Sequence, residues 1–144
     1  QKLMVGNVHL THLDGATELR SKQIEVVADE MLKLNTTGIK LLGGDMNAEI
    51  DSPELRLLTT RTKASDTYIR GGGKIPKLPS DEWNDFQLKR AVDHIFVFPD
   101  EHGVYPPFYN SRLELNRPEK IIGLYASDHP AITTTLVLPS YHHE

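Results

Sequence analysis

The sequence predicts an α/β (α+β) domain in which helices pack against a mixed sheet. Segments rich in β-branched and apolar residues alternate along the chain with segments whose apolar residues have helical spacing, and such alternation is typical of layered α/β folds. A chain of 144 residues is long enough for one domain with a buried core, and 38% hydrophobic with 25% charged residues is an ordinary globular composition.

The first half of the chain alternates strand and helix. Its predicted elements are a strand over 2–10, a turn at Asp14 and Gly15, a helix over 17–34, a strand over 39–44 and a short helix over about 53–60. Ser52 is a suitable N-cap for the second helix, Pro53 fits its first position, and Glu54 suits its positive end.

The second half has a less regular pattern. Residues 61–90 contain three consecutive glycines and two prolines without a clear period, which predicts mostly loop. Residues 90–98 (RAVDHIFVF) and 129–138 (HPAITTTLVL) predict strands because they are rich in β-branched or aromatic residues. For residues 103–115 a broken strand and an irregular crossing both remain open.

Composition excludes several classes of function. The absence of cysteine rules out disulfides, thiol catalysis and thiolate zinc sites. No apolar run is long enough for a transmembrane helix, so we expect a soluble protein without stable membrane insertion. The sequence does not predict its cellular compartment. The net charge of −4 argues against binding a polyanion through bulk charge. A local excess of cations fits either a solvated loop or a rim for a phosphate-bearing substrate; these are Arg56, Arg61, Lys63, Arg70, Lys74 and Lys77.

Polar residues that could take part in catalysis follow the second strand, in the sequence GGDMN. Asp45 and Asn47 are two residues apart, so in an extended chain their side chains project from the same face. The carboxylate could orient or deprotonate a water, and the amide could hold a phosphoryl oxygen. The alternative is a turn rich in Asp and Asn with no chemical role.

Two further acidic residues and a histidine lie in the predicted later strands or directly before them. Asp128 offers oxygen ligands for Mg²⁺, and the adjacent His129 could act as a general base or a phosphate contact; a capped turn is the alternative. Asp93 stands inside an apolar strand and needs a partner, for which a histidine is suited. An edge position with Asp93 in water is the other possibility.

The first strand carries two histidines that are not equivalent. If the strand is extended, Asn7 and His9 share one face while Val8 and Leu10 face the core. His12 then points away from His9, which makes His9 the better candidate and His12 a surface or loop residue. A bulge after Leu10 would exchange their roles.

Four motifs in order resemble the endonuclease/exonuclease/phosphatase superfamily, the deoxyribonuclease-I-like group of metal-dependent phosphoesterases. They are N-x-H (Asn7, His9), G-D-x-N (Gly44, Asp45, Asn47), the aspartate strand from Arg90 to Val97, and S-D-H-x-A (Ser127 to Ala131). The helix from Thr17, with Arg20 and Gln23, is also similar to the helix that follows the N-x-H strand in this family.

The resemblance implies a four-layer α/β/β/α sandwich that hydrolyses a phosphodiester or phosphomonoester with Mg²⁺ or Mn²⁺. It assigns catalytic roles to His9, Asp45, Asn47, Asp93 and His129, a metal ligand to Asp128, and substrate contacts to Asn7, Asn47 and His9. Asp45 would orient or deprotonate the attacking water. His129, paired with Asp93, would contact the phosphate and balance its charge in the transition state.

Elements of the family's first half cannot be placed in this sequence, namely an early asparagine motif and a metal-binding glutamate. We therefore expect residues 1–138 to form the C-terminal portion of such a domain, with 139–144 as a tail. An N-terminal half of the same domain or a second copy would complete it. The substrate stays open among nucleic acid, nucleotide, phospholipid and inositol phosphate.

Two other functions compete with this interpretation. Because the metal-binding glutamate is missing, the chain could be a non-catalytic fragment or a binding module. The remaining alternative is a zinc hydrolase that uses His9, His12, Asp45 and Asp128.

Overall fold

Three helices and six strands make up the part of the chain that the computed structural model describes, which comprises residues 2–34, 38–73, 91–114, 129 and 131–137. In chain order they are β1 (Leu3–His9), α1 (Thr17–Lys33), β2 (Ile39–Asp45), α2 (Pro53–Thr62), β3 (Ser65–Asp66), α3 (Thr67–Arg70), β4 (Asp93–Val97), β5 (Phe108–Glu114) and β6 (Ala131–Leu136).

The larger sheet is mixed and has the strand order β1-β2-β4-β3. β1 and β2 are parallel, whereas β4 is antiparallel to both of its neighbours, β2 and β3. β5 and β6 form a separate antiparallel pair, and β6 contacts β4. The parallel pair is connected through α1, the βαβ arrangement that such strands require. The mixed α/β class expected from the sequence is confirmed.

The hydrophobic core lies between one face of the larger sheet and the first two helices. α1 contributes Ile24 and Met31, α2 contributes Leu55, and the sheet contributes Leu42 and Phe96, all of which are buried. These positions recur with helical spacing on the helices and alternate on the strands, so one face of each element is apolar.

The opposite face of β1 is open at the edge of the sheet. The side chains of Leu3 and Val5 are 53% and 63% exposed, while those of Met4 and Val8, between and after them, are partly buried. Alternation along the strand therefore leaves an apolar surface on the face that does not contact the helices.

The helix boundaries follow the sequence signals closely. The Ser52 side chain accepts a hydrogen bond from the backbone N–H of Leu55 at 3.3 Å, and Pro53 opens α2, as expected for an N-cap followed by proline. α2 continues to Thr62, two residues beyond the predicted end.

The prediction of mostly loop over 61–90 is wrong for the short elements β3 and α3. Both elements form around Asp66. Its backbone pairs with Phe96 of β4 and so forms β3, while its side chain accepts a hydrogen bond from Ile69 N–H at 3.0 Å and caps α3. Residues 74–90 lie outside the described part of the chain. For residues 103–115 the strand alternative holds, since β5 pairs with β6, with a shift in register between Tyr109 and Arg112.

None of the helices among the described residues has the length and the hydropathy that crossing a bilayer would require.

Candidate active site

Three of the predicted site residues lie in one row across the larger sheet. His9 at the end of β1 is in register with Asp45 at the end of β2, and Asp45 is in register with Asp93 at the start of β4. Residues in register on neighbouring strands point to the same face, so the three side chains converge. His9 Nε2 lies 3.5 Å from Asp45 Oδ2, with the His9 side chain 71% exposed.

His129 joins this row from a different part of the chain. Its Nδ1 lies 2.7 Å from Asp93 Oδ2 and 3.9 Å from Asp45 Oδ2. Ala131, two residues later, begins β6, whose contact with β4 brings His129 to the end of the sheet where Asp93 stands. The structure thus supplies Asp93 with the histidine partner that the sequence predicted.

The Asp45–Asn47 segment forms a tight turn instead of an extended pair. β2 ends at Asp45, and Asn47 adopts a positive φ of 47°, which asparagine tolerates better than most residues. Asp45 Oδ1 accepts a hydrogen bond from Asn47 N–H at 2.8 Å, and the Asn47 side-chain amide donates to the Leu10 carbonyl at 2.9 Å. The prediction that Asp45 and Asn47 project from one face of an extended chain is therefore wrong, and the alternative of a turn describes their backbone. Asn47 still lies beside Asp45, and its role in the site stays a prediction.

The first strand has the facing that the sequence predicted. Asn7 and His9 are both exposed on one face, Val8 packs against the core, and Leu10 is only 4% exposed. His12 is exposed beyond the end of β1. The last predicted site residue, Asp128, lies outside the described residues.

Asp45, Asp93 and His129 also lie close enough to one another to bind a metal ion together. One potential ligand atom from each lies within 4.8 Å of the other two, and no other group of this kind occurs among the described residues. Carboxylate oxygens suit Mg²⁺ or Mn²⁺ with waters in the remaining positions, and aspartate with histidine also suits zinc. His9 and His12 are not members, so the described residues do not assemble the zinc set of His9, His12, Asp45 and Asp128.

A buried ion pair that the sequence analysis missed supports the loop after β1. Arg20 Nε donates to Glu54 Oε1 at 3.0 Å, and its Nη1 donates to the carbonyls of Thr11 and Leu13 at 3.3 and 3.1 Å. Gln23 Oε1 accepts the Thr11 N–H at 3.1 Å. The loop is thereby fixed from α1.

Glu54 carries its charge in a buried position. Burial acts to raise the pKa of the Glu54 carboxyl, but a backbone hydrogen bond together with the hydrogen bond and charge of Arg20 outweighs it and lowers the pKa below its usual value. A sequence signal for this pair exists only on one side. Arg20 lies four residues before Ile24, and this spacing places both on the buried face of α1. For Glu54 the sequence indicates only a position at the positive end of α2.

Two of the cations predicted as a possible substrate rim contact other side chains. Arg61 pairs with Asp29, and the Arg70 guanidinium lies 3.8 Å from the centre of the Tyr105 ring. Arg61 and Lys63 line a groove of about 1000 Å³ at the end of the sheet opposite Asp45. Lys74 and Lys77 lie outside the described residues.

Comparison with protein families gives one match that covers most of the chain. The model of the Endonuclease/Exonuclease/phosphatase family matches residues 3–129. The chain therefore belongs to this family, as the four motifs indicated. A search of curated proteins found no significant match.

Solved structures with the same fold include three chains from two organisms. D. rerio TDP2, humanized by 14 mutations, is 21% identical with a TM-score of 0.71, over 96% of this chain and 56% of that one. D. rerio TDP2 complexed with single strand DNA product is 20% identical with a TM-score of 0.67, over 93% and 56%. The Bacteroides thetaiotaomicron mannosyl-6-phosphatase Bt3783 is 19% identical with a TM-score of 0.57, over 92% and 50%. The chain thus spans about half the length of these structures.

Proposed function

We propose that the protein is a divalent-metal-dependent phosphoesterase that hydrolyses its substrate with an activated water. Members of the Endonuclease/Exonuclease/phosphatase family are phosphoester hydrolases. The observation that carries the proposal is the convergence of two carboxylates and two imidazoles, those of Asp45, Asp93, His9 and His129, at one end of the sheet. Such a site combines a base for water with groups that stabilise negative charge.

The contacts of each side chain indicate its role in the reaction. Asp45 accepts the Asn47 N–H through Oδ1, while its Oδ2 faces the two histidines, so Oδ2 is the atom we assign to orienting or deprotonating water. The Asp93 carboxylate orients the His129 ring and stabilises its protonated form, as in other Asp–His pairs. His129 and His9 would then compensate the charge that develops on the phosphoryl oxygens from either side of Asp45.

A bound divalent cation fits this donor set. Asp45 and Asp93 provide hard oxygen atoms within reach of one cation, and we propose that Asp128 adds a third carboxylate. Mg²⁺ or Mn²⁺ bound there would polarise a phosphoryl oxygen and help to lower the pKa of a bound water. Asn7 and Asn47 would contribute neutral donors to the substrate.

The substrate is a phosphate ester, and the related structures offer two chemical classes to test. One of them is complexed with a single-stranded DNA product and another is a sugar phosphatase. A nucleotide, a phospholipid or an inositol phosphate agrees equally well with a net charge of −4.

The test is hydrolysis of a generic phosphodiester and a generic phosphomonoester by the intact protein, with Mg²⁺ or with a chelator. We expect Asp45→Asn and His129→Ala to lower kcat at least about 100-fold, since each removes a base or a charge-compensating group. Chelation should abolish turnover, and added Mg²⁺ should restore it.

Matched controls come from residues of the same type outside the site. Asp51→Asn and His12→Ala alter exposed residues near Asp45 and His9 and should leave kcat within about twofold. Full activity of Asp45→Asn, or equal loss in His12→Ala and His9→Ala, would contradict the assignment.

We also propose that the domain is a four-layer sandwich whose remaining part is supplied by a complementary half or by a second copy. The exposed Leu3 and Val5 on edge strand β1, together with a chain that spans about half of the related structures, support this proposal. Contiguous apolar surface of this kind is typically covered by a partner.

A non-catalytic binding module is the second candidate, favoured by the same half-length coverage. Calorimetric titration of the 144-residue chain with Mg²⁺ separates the two. Micromolar binding would support a complete metal site in this chain, whereas absent binding together with absent hydrolysis would favour the binding module.

A further inference from the structure

A buried histidine lies directly behind the candidate site. His94 follows Asp93 in β4 and therefore points to the other face of the sheet, where it is only 5% exposed. Its Nε2 lies 3.0 Å from the backbone carbonyl oxygen of Ala48, and since a carbonyl only accepts, Nε2 donates. Its Nδ1 is hydrogen-bonded to Asp66 Oδ2 at 2.9 Å.

The carbonyl that His94 binds belongs to the turn that carries Asn47. On the near side of Asn47, Met46 N–H donates to the Val92 carbonyl at 2.8 Å. On the far side, the Ala48 carbonyl accepts from His94. The turn is thus attached on both sides of Asn47, once to Val92, the residue before β4, and once to His94 within β4. Of these two contacts, only the one from His94 is made by a side chain.

Asp66 fixes the histidine ring in turn. Asp66 is 4% exposed, and its two carboxylate oxygens have separate partners, Ile69 N–H on one and the His94 ring on the other. Its capping bond to α3 restricts the carboxylate, and the carboxylate restricts rotation of the ring. The polar chain therefore runs from α3 through Asp66 and His94 to the turn.

We propose that His94 is a positioning residue for catalysis, which holds the turn so that Asp45 and Asn47 keep the geometry of the site. The inference rests on the proposed phosphoesterase function. Groups that orient the residues of a reactive centre from behind typically change activity 10- to 100-fold when removed.

The experiment compares His94→Phe with Thr62→Val in the intact protein. Phenylalanine keeps an aromatic ring without nitrogen atoms. Thr62 is equally buried at the end of α2 and makes two hydrogen bonds through Oγ1, so its replacement by valine is destabilising without contact to the turn. We expect His94→Phe to lower kcat about 10- to 100-fold with KM within about twofold, and Thr62→Val to leave both within about twofold.

A second measurement does not depend on activity. The backbone amide proton of Asn47 is hydrogen-bonded to Asp45 Oδ1. In His94→Phe its hydrogen exchange should become at least about tenfold faster, compared with the change for core amides in the same variant, whereas in Thr62→Val its exchange rate should not change. Should His94→Phe fail to fold, Asp66→Ala and Asp66→Asn replace it. Asparagine can keep both hydrogen bonds of Asp66, so it should lose less kcat than alanine.

The outcomes separate this inference from the proposed function. Asn47 exchange and kcat that respond no more to His94→Phe than to Thr62→Val would overturn the positioning role even in an active enzyme. If the wild-type protein has no hydrolase activity, the proposed function fails, and catalytic positioning fails with it; faster Asn47 exchange would then show only that His94 anchors the turn.

Discussion

Replacing Arg20 by methionine tests whether the buried ion pair that supports the loop after β1 stabilises the fold. The Arg20 and Glu54 side chains are only 10% and 3% exposed, and Arg20 also donates to the carbonyls of Thr11 and Leu13. Methionine fills a similar volume without charge, so the substitution leaves Glu54 buried without its cation. Removing one partner of a buried pair typically costs about 3–5 kcal/mol.

The expected loss is measurable by urea and thermal unfolding. For a chain of 144 residues, about 1 kcal/mol corresponds to roughly 3 °C in Tm, so Arg20→Met should melt about 10–15 °C below the wild type. The double variant Arg20→Met with Glu54→Leu should recover most of this loss, because no uncompensated charge remains. Arg20→Lys should fall between, since lysine keeps the charge but lacks the planar guanidinium.

The pH dependence of the Arg20→Met effect follows from the direction in which folding shifts the pKa of Glu54. The pKa of Glu54 is lower in the folded than in the unfolded chain, so its contribution is complete above the unfolded pKa, near 4.5, and is lost as pH falls through the lower folded pKa. The difference in unfolding free energy between wild type and Arg20→Met should therefore be largest near neutral pH and shrink below pH 4.5. A difference under about 1 kcal/mol at pH 7, or one that grows on acidification, would refute the reasoning.

Two substitutions test the backbone around the site. Gly44→Ala should destabilise by at least about 3 kcal/mol, measured by urea unfolding, because at its φ of 131° a Cβ would lie 2.0 Å from the Val8 carbonyl oxygen. Gly15→Ala is the control: it also has positive φ but no atom within 4 Å, so it should cost only about 1–2 kcal/mol, and equal losses would contradict the steric argument. Ser52→Ala should cost about 1 kcal/mol by removing the α2 cap, whereas Ser52→Gly should cost a few tenths; a larger loss for glycine would count against capping.

Local signals in the sequence were sufficient for most of the fold. Helical spacing and a Ser-Pro start fixed α1 and α2, and apolar runs fixed β1, β2 and β4, because each pattern depends on residues a few positions apart. β3 and α3 were missed because they have no such pattern. They form around Asp66, whose backbone pairs with Phe96 and whose side chain contacts His94. Contacts between residues some 28 positions apart are invisible to local periodicity.

The candidate site shows the same division. The pairing of Asp93 with a histidine followed from the cost of burying a lone carboxylate, and family order selected His129. The turn at Asn47 did not follow, because the prediction assumed an extended chain through residue 47, whereas β2 ends at Asp45 and Asn47 has a positive φ. The Arg20–Glu54 pair could be predicted only in part. The helical spacing places Arg20 on the buried face of α1, but its partner Glu54 is set by the packing of α1 on α2, which no local pattern records.

The G-D-x-N motif combines a steric requirement with a chemical one. Glycine is needed at position 44 because β1 approaches so closely that a Cβ would also lie 2.8 Å from Asn7 Oδ1. Asp45 then ends the strand with one oxygen bound to the Asn47 N–H and the other facing His9 and His129. Asn47 reaches back to the Leu10 carbonyl, one residue beyond His9. The motif therefore joins β1 to β2 at the same residues that form the site, so a change in strand packing here would alter the distances between the reactive groups.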